Sequence, residues 1–279
     1  MDVMTTASAT QKNVLSDDQV AFYHRHGYLI LENVLAAAEL QELQAATEGL
    51  QEERNRRGGN DSIVAIMDFA LLDDAFMRAA HHPHMLAAVT QLIGENLRLQ
   101  HCKLNWKPPT KGTGEVDWHQ DFPFLPHTNY DLLACMILMD DSSPENGCMR
   151  VIPGSHLRGP VDHFTVDGTF ARHCTDPADY ADDLARGNVV DLVAPAGSIT
   201  IHHSCIVHAS YPNYSDTPRR GLIYQIAAGD SVQLGGQLYK VWPLWLQGKD
   251  PLRARMEDGT VFRLSRPLTN VGGLEPSDQ

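Results

Sequence analysis

The sequence has no apolar run approaching the roughly 20 residues that a membrane-spanning helix needs. It is also short of positive charge. Lys and Arg number 22 against 35 Asp and Glu, a formal net charge of −13 with histidine neutral. That balance argues against nucleic acid and anionic membrane surfaces as partners, because both are themselves negative. Cysteine is sparse and odd in number, 5 residues with no Cys-x-x-Cys pair, which excludes a complete disulfide framework and a zinc knuckle. Free thiols fit a reducing compartment, so a cytoplasmic location is expected. Met1 to Val14 is small and polar and lacks the apolar stretch of a secretory signal. What the chain does have in quantity is histidine, 14 residues of it, the usual metal ligand and proton carrier.

A chain of 279 residues buries enough surface for a full core without disulfides or structural metal. No repeat or composition break divides it. The reading is a disordered stretch over 1–14, one domain over 15–271 and a flexible tail over 272–279. Ser16 and Gln19 have capping-box spacing, so a helix opens there and stops at Gly27. Tyr28 to Leu31 reads as a short strand. A helix follows over about 36–54, with Leu40, Leu43, Thr47 and Leu50 on one face. Arg56 to Asn60 reads as a loop, and two shorter helices follow near 71–80 and 84–93. After Asn96 the texture changes to short apolar runs parted by Gly, Pro, Asn and Asp: 97–105, 132–139, 148–152, 189–193, 198–202 and 220–227. That spacing predicts an all-β sandwich or barrel, not a sheet alternating with helices.

Chemistry concentrates at two places. In Trp118-His119-Gln120-Asp121, residues i and i+2 of a strand or strand end point the same way, so His119 and Asp121 can face one metal. His-x-Asp by itself also fits a purely structural role. Eighty-nine residues later comes His208, and eleven beyond that Arg219. Two histidines and a carboxylate form the facial triad that leaves three positions open on non-heme iron. An arginine beyond the second histidine can clamp a carboxylate through two parallel bonds. His202 and His203 share the apolar run with His208 and are rival ligands. One of them points inward by alternation.

Three segments together carry a family resemblance: His119-Gln120-Asp121; Pro144-Glu145-Asn146-Gly147 through Pro153-Gly154-Ser155-His156; and His208-Ala209-Ser210 through Pro218-Arg219. With the opening from Leu15 to Val34, the chain resembles the phytanoyl-CoA dioxygenase family of iron(II)/2-oxoglutarate oxygenases over roughly residues 15 to 230. The resemblance implies a mainly β fold with flanking helices and a double-stranded β-helix (jelly-roll) core. It implies that His119, Asp121 and His208 hold Fe(II), and that Arg219 and Ser210 bind 2-oxoglutarate, with Asn105 and Gln100 touching its other end. Succinate and CO2 would be released as O2 is consumed. In halogenating relatives a small residue replaces the carboxylate, so Asp121 implies hydroxylation or another oxidation. Where some relatives have a tryptophan on the strand after the metal motif, this chain has Ile137.

Other residues have plain readings. His156 stabilises the Pro-Gly turn, His24 and His26 suit a helix C-terminus, and His81, His82 and His84 flank a helix start. Among Trp106, Trp118, Phe122, Phe124 and Tyr130, core packing competes with lining the substrate pocket, where aromatic faces attract cations. Lys103, Phe122, His127, Asn129, Tyr130 and His163 are candidate substrate contacts, as are Arg172 and His173. The 162–170 loop is a candidate cover with Gly168 as its hinge. The expected substrate is a small polar metabolite, an amino- or trimethylammonio-alkyl phosphonate or carboxylate, and no basic cluster is evident to receive CoA. A natural-product scaffold or an acyl-CoA is the alternative. A non-catalytic jelly-roll sensor and a zinc hydrolase are alternatives of other classes, and the hydrolase leaves Arg219 without a role.

Overall fold

A computed structural model describes residues 13–56, 64–109, 112, 114–234 and 244–258. The expected tail over 272–279 and most of the 1–14 stretch and the Arg56–Asn60 loop lie outside them. At the described end of the first stretch, Val14 packs on the core and donates its N–H to Gln91 Oε1 at 2.9 Å.

The first helix forms where its cap predicts. In α1 (Asp17–His26), the Ser16 hydroxyl accepts from the Gln19 N–H and the Gln19 side chain accepts from the Ser16 N–H, a cap contributing about 0.5–2 kcal/mol. Gly27 ends it with φ at 82°. A Cβ there would sit 2.5 Å from the His156 ring, so only glycine lets the two segments meet. Strand β1 (Tyr28–Leu31) follows, then α2 (Ala37–Arg56), β2 (Val64–Met67), α3 (Asp74–Ala80) and α4 (Pro83–Ile93). His82 precedes Pro83 at the start of α4.

The β region runs through β3 (Leu97–Lys107), β4 (Val116–His119), β5 (Leu132–Leu138), β6 (Met149–Val151), β7 (Val190–Asp191), β8 (Ile199–His203), β9 (His208–Ser210), β10 (Arg219–Ala228) and β11 (Leu244–Gln247), with a short α5 (Ala181–Ala185) before β7. The large sheet has the order β1-β8-β5-β10-β3-β11, with β2 on the free half of the β3 edge. The small sheet has the order β4-β9-β6-β7. Every pairing is antiparallel. This is the jelly-roll architecture. Strands β2, β4, β9 and β11 are too short for periodicity to mark.

Alternation explains why the β5 sequence is apolar throughout. Leu133, Cys135 and Ile137 pack against the helices, while Ala134, Met136 and Leu138 face the small sheet with Met149, Val151 and Ile223. Both faces are covered, so both must be apolar. Ile137 therefore lies on the helix side. It does not line the cavity between the sheets, whereas its neighbour Met136 does.

Candidate active site

The two sheets part at one end to enclose about 290 Å³, and the three metal-ligand candidates sit on its wall. His119 and His208 are register partners on β4 and β9. Asp121 follows two residues after His119. The donor atoms of all three lie within 4.8 Å of one another, with Asp121 Oδ1 3.9 Å from His119 Nε2 and 3.8 Å from His208 Nε2.

Their neighbours fix the orientation of each donor. His119 Nδ1 lies 2.8 Å from the Asp117 carbonyl and His208 Nδ1 lies 2.9 Å from the Ile206 carbonyl. A carbonyl only accepts, so each Nδ1 carries the proton and each Nε2 offers a lone pair to the centre. Asp121 Oδ2 accepts from His202 Nε2 at 3.2 Å and from Gln225 Nε2. That leaves Oδ1 for the centre. Burial would raise the Asp121 carboxyl, but His208, His202 and His119 around it hold it well below the usual range. Burial keeps His119 and His208 below theirs, the neutral state a metal requires. The donor set and its inward-facing lone pairs fit a divalent ion such as iron(II).

The motif between the ligands is held from behind. The Gln120 N–H donates to His163 Nε2 at 3.0 Å, and His163 Nδ1 donates to the Val161 carbonyl at 3.0 Å. The Gln120 side chain bonds to the Gly159 and Cys205 carbonyls at 3.0 and 2.6 Å and to the Val161 N–H at 2.8 Å. His163 is thus a brace for the turn and does not line the cavity. On the other flank, Ser155 Oγ accepts from the Val207 N–H at 2.8 Å, tying the Pro-Gly-Ser-His segment to the strand of His208.

Farther in, Arg219 is buried and donates through Nε and Nη2 to the Gly147 carbonyl at 3.1 and 2.6 Å. Gly147 adopts φ of 91°, and a Cβ there would meet the Tyr211 carbonyl at 2.7 Å and Lys107 Cδ at 2.9 Å. Glycine is needed for this turn to seat the arginine. Lys107, the last residue of β3, donates to Ser210 Oγ at 2.7 Å and to the Tyr211 carbonyl. Burial, and then the Arg219 charge, push its amine down to about 6.

The remaining sequence candidates divide by strand alternation. His101, Lys103, Asn105 and Lys107 of β3 all line the cavity. Gln100 does not. It is the extra residue at a bulge, where Gln225 pairs with His101 and Ile226 with Leu99, and its amide engages Gln233 at 3.1 Å and His101. Phe122 is core, packed with Leu132, Cys205, Ala227 and Tyr130. Tyr130 stands edge-on to Phe122. His127 Nδ1 bonds to the Leu125 carbonyl at 2.7 Å, and burial pushes its ring down to about 4. Asn129 bonds to the Asp230 and Arg255 carbonyls. None of Phe122, His127, Asn129, Tyr130 and His163 touches the cavity. Phe124 and Arg172 do, at a narrower lobe of about 120 Å³ beside His119 and Asp121. Sequence reasoning passed over Lys107, His202 as a carboxylate partner, and Gln225. The odd-numbered positions of β3 held a period-2 signal for Lys107, but only the pairing of strands reveals the other two.

A jelly roll with this triad and a buried arginine is the frame of a non-heme oxygenase. A family model described as Phytanoyl-CoA dioxygenase (PhyH) matches residues 23–221, and the chain belongs to that family of iron(II)/2-oxoglutarate-dependent dioxygenases. It is 36% identical to the "Probable alpha-ketoglutarate-dependent hypophosphite dioxygenase" of Stutzerimonas stutzeri, over 58% of this chain and just 56% of that protein. It is 27% identical to the ectoine dioxygenase of Bordetella bronchiseptica, over 94% of this chain and 89% of that one. Among solved structures, the non-heme alpha-ketoglutarate-dependent carbocyclase SnoK from nogalamycin biosynthesis superposes with a TM-score of 0.69 at 26% identity, covering 87% of this chain and 98% of its own. By its family the chain is an iron- and 2-oxoglutarate-dependent dioxygenase, and the two relatives named for hypophosphite and ectoine act on small molecules. Among the described residues no helix is long and apolar enough to cross a membrane.

Proposed function

We propose that the protein hydroxylates a small polar metabolite that carries an amine or quaternary amine and an acidic phosphonate or carboxylate group, with His119, Asp121 and His208 holding the iron. The observation that carries the ligand assignment is the shared orientation of the three donors, each with its second polar atom already bonded to the protein. Bound iron supplies oxygen activation coupled to oxidative decarboxylation of 2-oxoglutarate, so that one oxygen atom enters the substrate and the other enters succinate as CO2 leaves.

The protein's own residues bind, orient and exclude water. Arg219 receives the distal carboxylate of 2-oxoglutarate, its guanidinium fixed in advance by Gly147. Ser210 and Lys107 stand beside it as donors. Asn105 lines the same cavity and serves the other end of the co-substrate. Met136, Met149 and Ile223 supply apolar wall to the cavity. The 120 Å³ lobe favours a small substrate over a polycyclic scaffold or an acyl-CoA. All five cysteines are free and buried, which supports a cytoplasmic setting.

The test is succinate release by purified protein given iron(II), ascorbate, 2-oxoglutarate and a panel of small amino acids and aminophosphonates. Wild type is expected to couple succinate to substrate oxidation, and Asp121→Ala and His208→Ala to lose both iron binding and turnover. Retained iron affinity and turnover in either variant would sink the triad. Normal binding of both cofactors with no succinate from any substrate would favour a sensor.

A further inference from the structure

The cavity is positive in an acidic protein. Lys103, Lys107, Arg172 and Arg219 line it, and Asp121 is the sole carboxylate among its described lining residues. Of the 35 Asp and Glu in the sequence, the described residues place one there. The four basic residues fall into two pairs. Lys107 and Arg219 are tied to Ser210, Tyr211 and Gly147. Lys103 and Arg172 have no hydrogen-bond or ion-pair partner among the described residues. They alone of the four also line the narrower lobe, whose other walls include Met67, Phe124, Leu125 and Leu132.

Arg172 is held there at some cost. Its φ is 69°, in the left-handed region that a non-glycine residue adopts only against its own preference. The loop is pinned on both sides of it: the Ala171 N–H donates to the His163 carbonyl and the Cys174 N–H to the Trp118 carbonyl, each at 2.8 Å. Both anchors lead back to the His119 motif. Arg172 is otherwise exposed, so its position over the lobe is set by the loop and not by packing of its side chain.

Charge matching then points outward. A metal dication offsets the 2-oxoglutarate dianion, and Asp121 offsets Arg219. Lys107, tied to Ser210 and the Tyr211 carbonyl, belongs to the co-substrate end, which leaves Lys103 and Arg172 for another anion. We propose that these two side chains clamp an oxyanion of the substrate, a carboxylate or a phosphonate, at the mouth of the 120 Å³ lobe. This rests on the hydroxylase reading above and specifies which end of the substrate the protein holds. The planar guanidinium grips two oxygens at once, and the lysine adds a point charge from the strand that also carries Asn105.

The test is calorimetric titration of protein loaded with nickel(II), as an inert substitute for iron, and saturating 2-oxoglutarate. The probes are 2-aminoethylphosphonate, 3-aminopropionate and, lacking an acidic group, ethanolamine. At least one acid is expected to bind and ethanolamine to fail at the same concentration. Lys103→Met and Arg172→Gln should each weaken the bound acid about 10-fold or more, the scale of a charge-assisted bond, with 2-oxoglutarate affinity unchanged within about twofold. The stronger of the two acids identifies the oxyanion. The clamp is overturned if neither acid binds, if ethanolamine binds as well, or if Arg172→Gln, a rim variant that leaves the core intact, binds acids like wild type. Wild-type protein that binds no 2-oxoglutarate overturns the hydroxylase reading itself, whereas normal 2-oxoglutarate binding with no response at positions 103 and 172 overturns the clamp alone.

Discussion

The two ends of the cavity differ in how complete they are. At the inner end, Arg219 and Lys107 are buried and already bonded to backbone and hydroxyl groups. At the outer end, Lys103 and Arg172 have no hydrogen-bond or ion-pair partner among the described residues. The inner end is assembled before any ligand arrives, as suits a co-substrate used in every turnover. Among the described residues no carboxylate is bonded to these two side chains, which leaves them open to an acidic ligand. Preorganisation at one end and incompleteness at the other allow a common reaction to be directed at a particular substrate.

The largest effect expected from breaking this contrast is at Arg219. Removing a buried charge from its carboxylate partner costs about 2–5 kcal/mol, so Arg219→Ala should raise the 2-oxoglutarate KM by at least about 30-fold while iron affinity stays within about twofold. Altered iron affinity with an unchanged 2-oxoglutarate requirement would count against the inner-end assignment. Next in size are His202 and Gln225, which hold Asp121 Oδ2. Loss of such an orienting partner typically weakens metal binding about 10–100-fold, so Gln225→Leu should lower iron affinity in that range, read by metal titration, and leave Arg219-dependent behaviour intact. An unchanged iron affinity would mean that Asp121 needs no second support.

The most gradual effect, spread over several pH units, is a pH dependence at Lys107. Its amine titrates at about 6 in the folded protein against an ordinary 10.5. Between those values the unfolded chain holds the extra proton, so the stability of the ligand-free protein should rise with pH across that window. A 2-oxoglutarate carboxylate favours the ammonium, so its binding takes up a proton and its affinity should fall as pH climbs above about 6. Lys107→Met should bind 2-oxoglutarate more weakly and flatten both slopes, measured by thermal melts and titrations at several pH values. A slope that persists in the variant belongs to another group.

Much of the fold can be read from the chain because its local signals agree. The Ser16–Gln19 cap, the Gly27 stop and the long apolar runs of β5 and β10 each sit where the elements form. The site was legible where chemistry is coded by short spacing, as in His119-Gln120-Asp121 and the eleven-residue step from His208 to Arg219. It was illegible where the side chain's direction depends on strand pairing. Gln100 and Asn105 are five apart and cannot share a face of a regular strand, and the bulge at Gln225/Ile226 leaves Gln100 unpaired with its amide used elsewhere. His127, Asn129 and His163 looked like ligand contacts because they are polar residues near a metal motif. In the fold they satisfy buried carbonyls and N–H groups instead.

The sequence by itself carried the family, through the motifs it shares with it, the mainly β character of the core and a His-Asp-His set that could hold a metal ion, because short motifs and spacing are local properties that survive without coordinates. Tertiary structure decided which polar residues face the cavity. Side-chain direction on a strand is set by pairing and bulges, and the pairing of β3 with β10 and of β4 with β9 joins positions more than eighty residues apart. It also decided that, among the described residues, Lys107 and Arg219 have partners while Lys103 and Arg172 have none, since whether a charge has a partner depends on what the fold brings beside it.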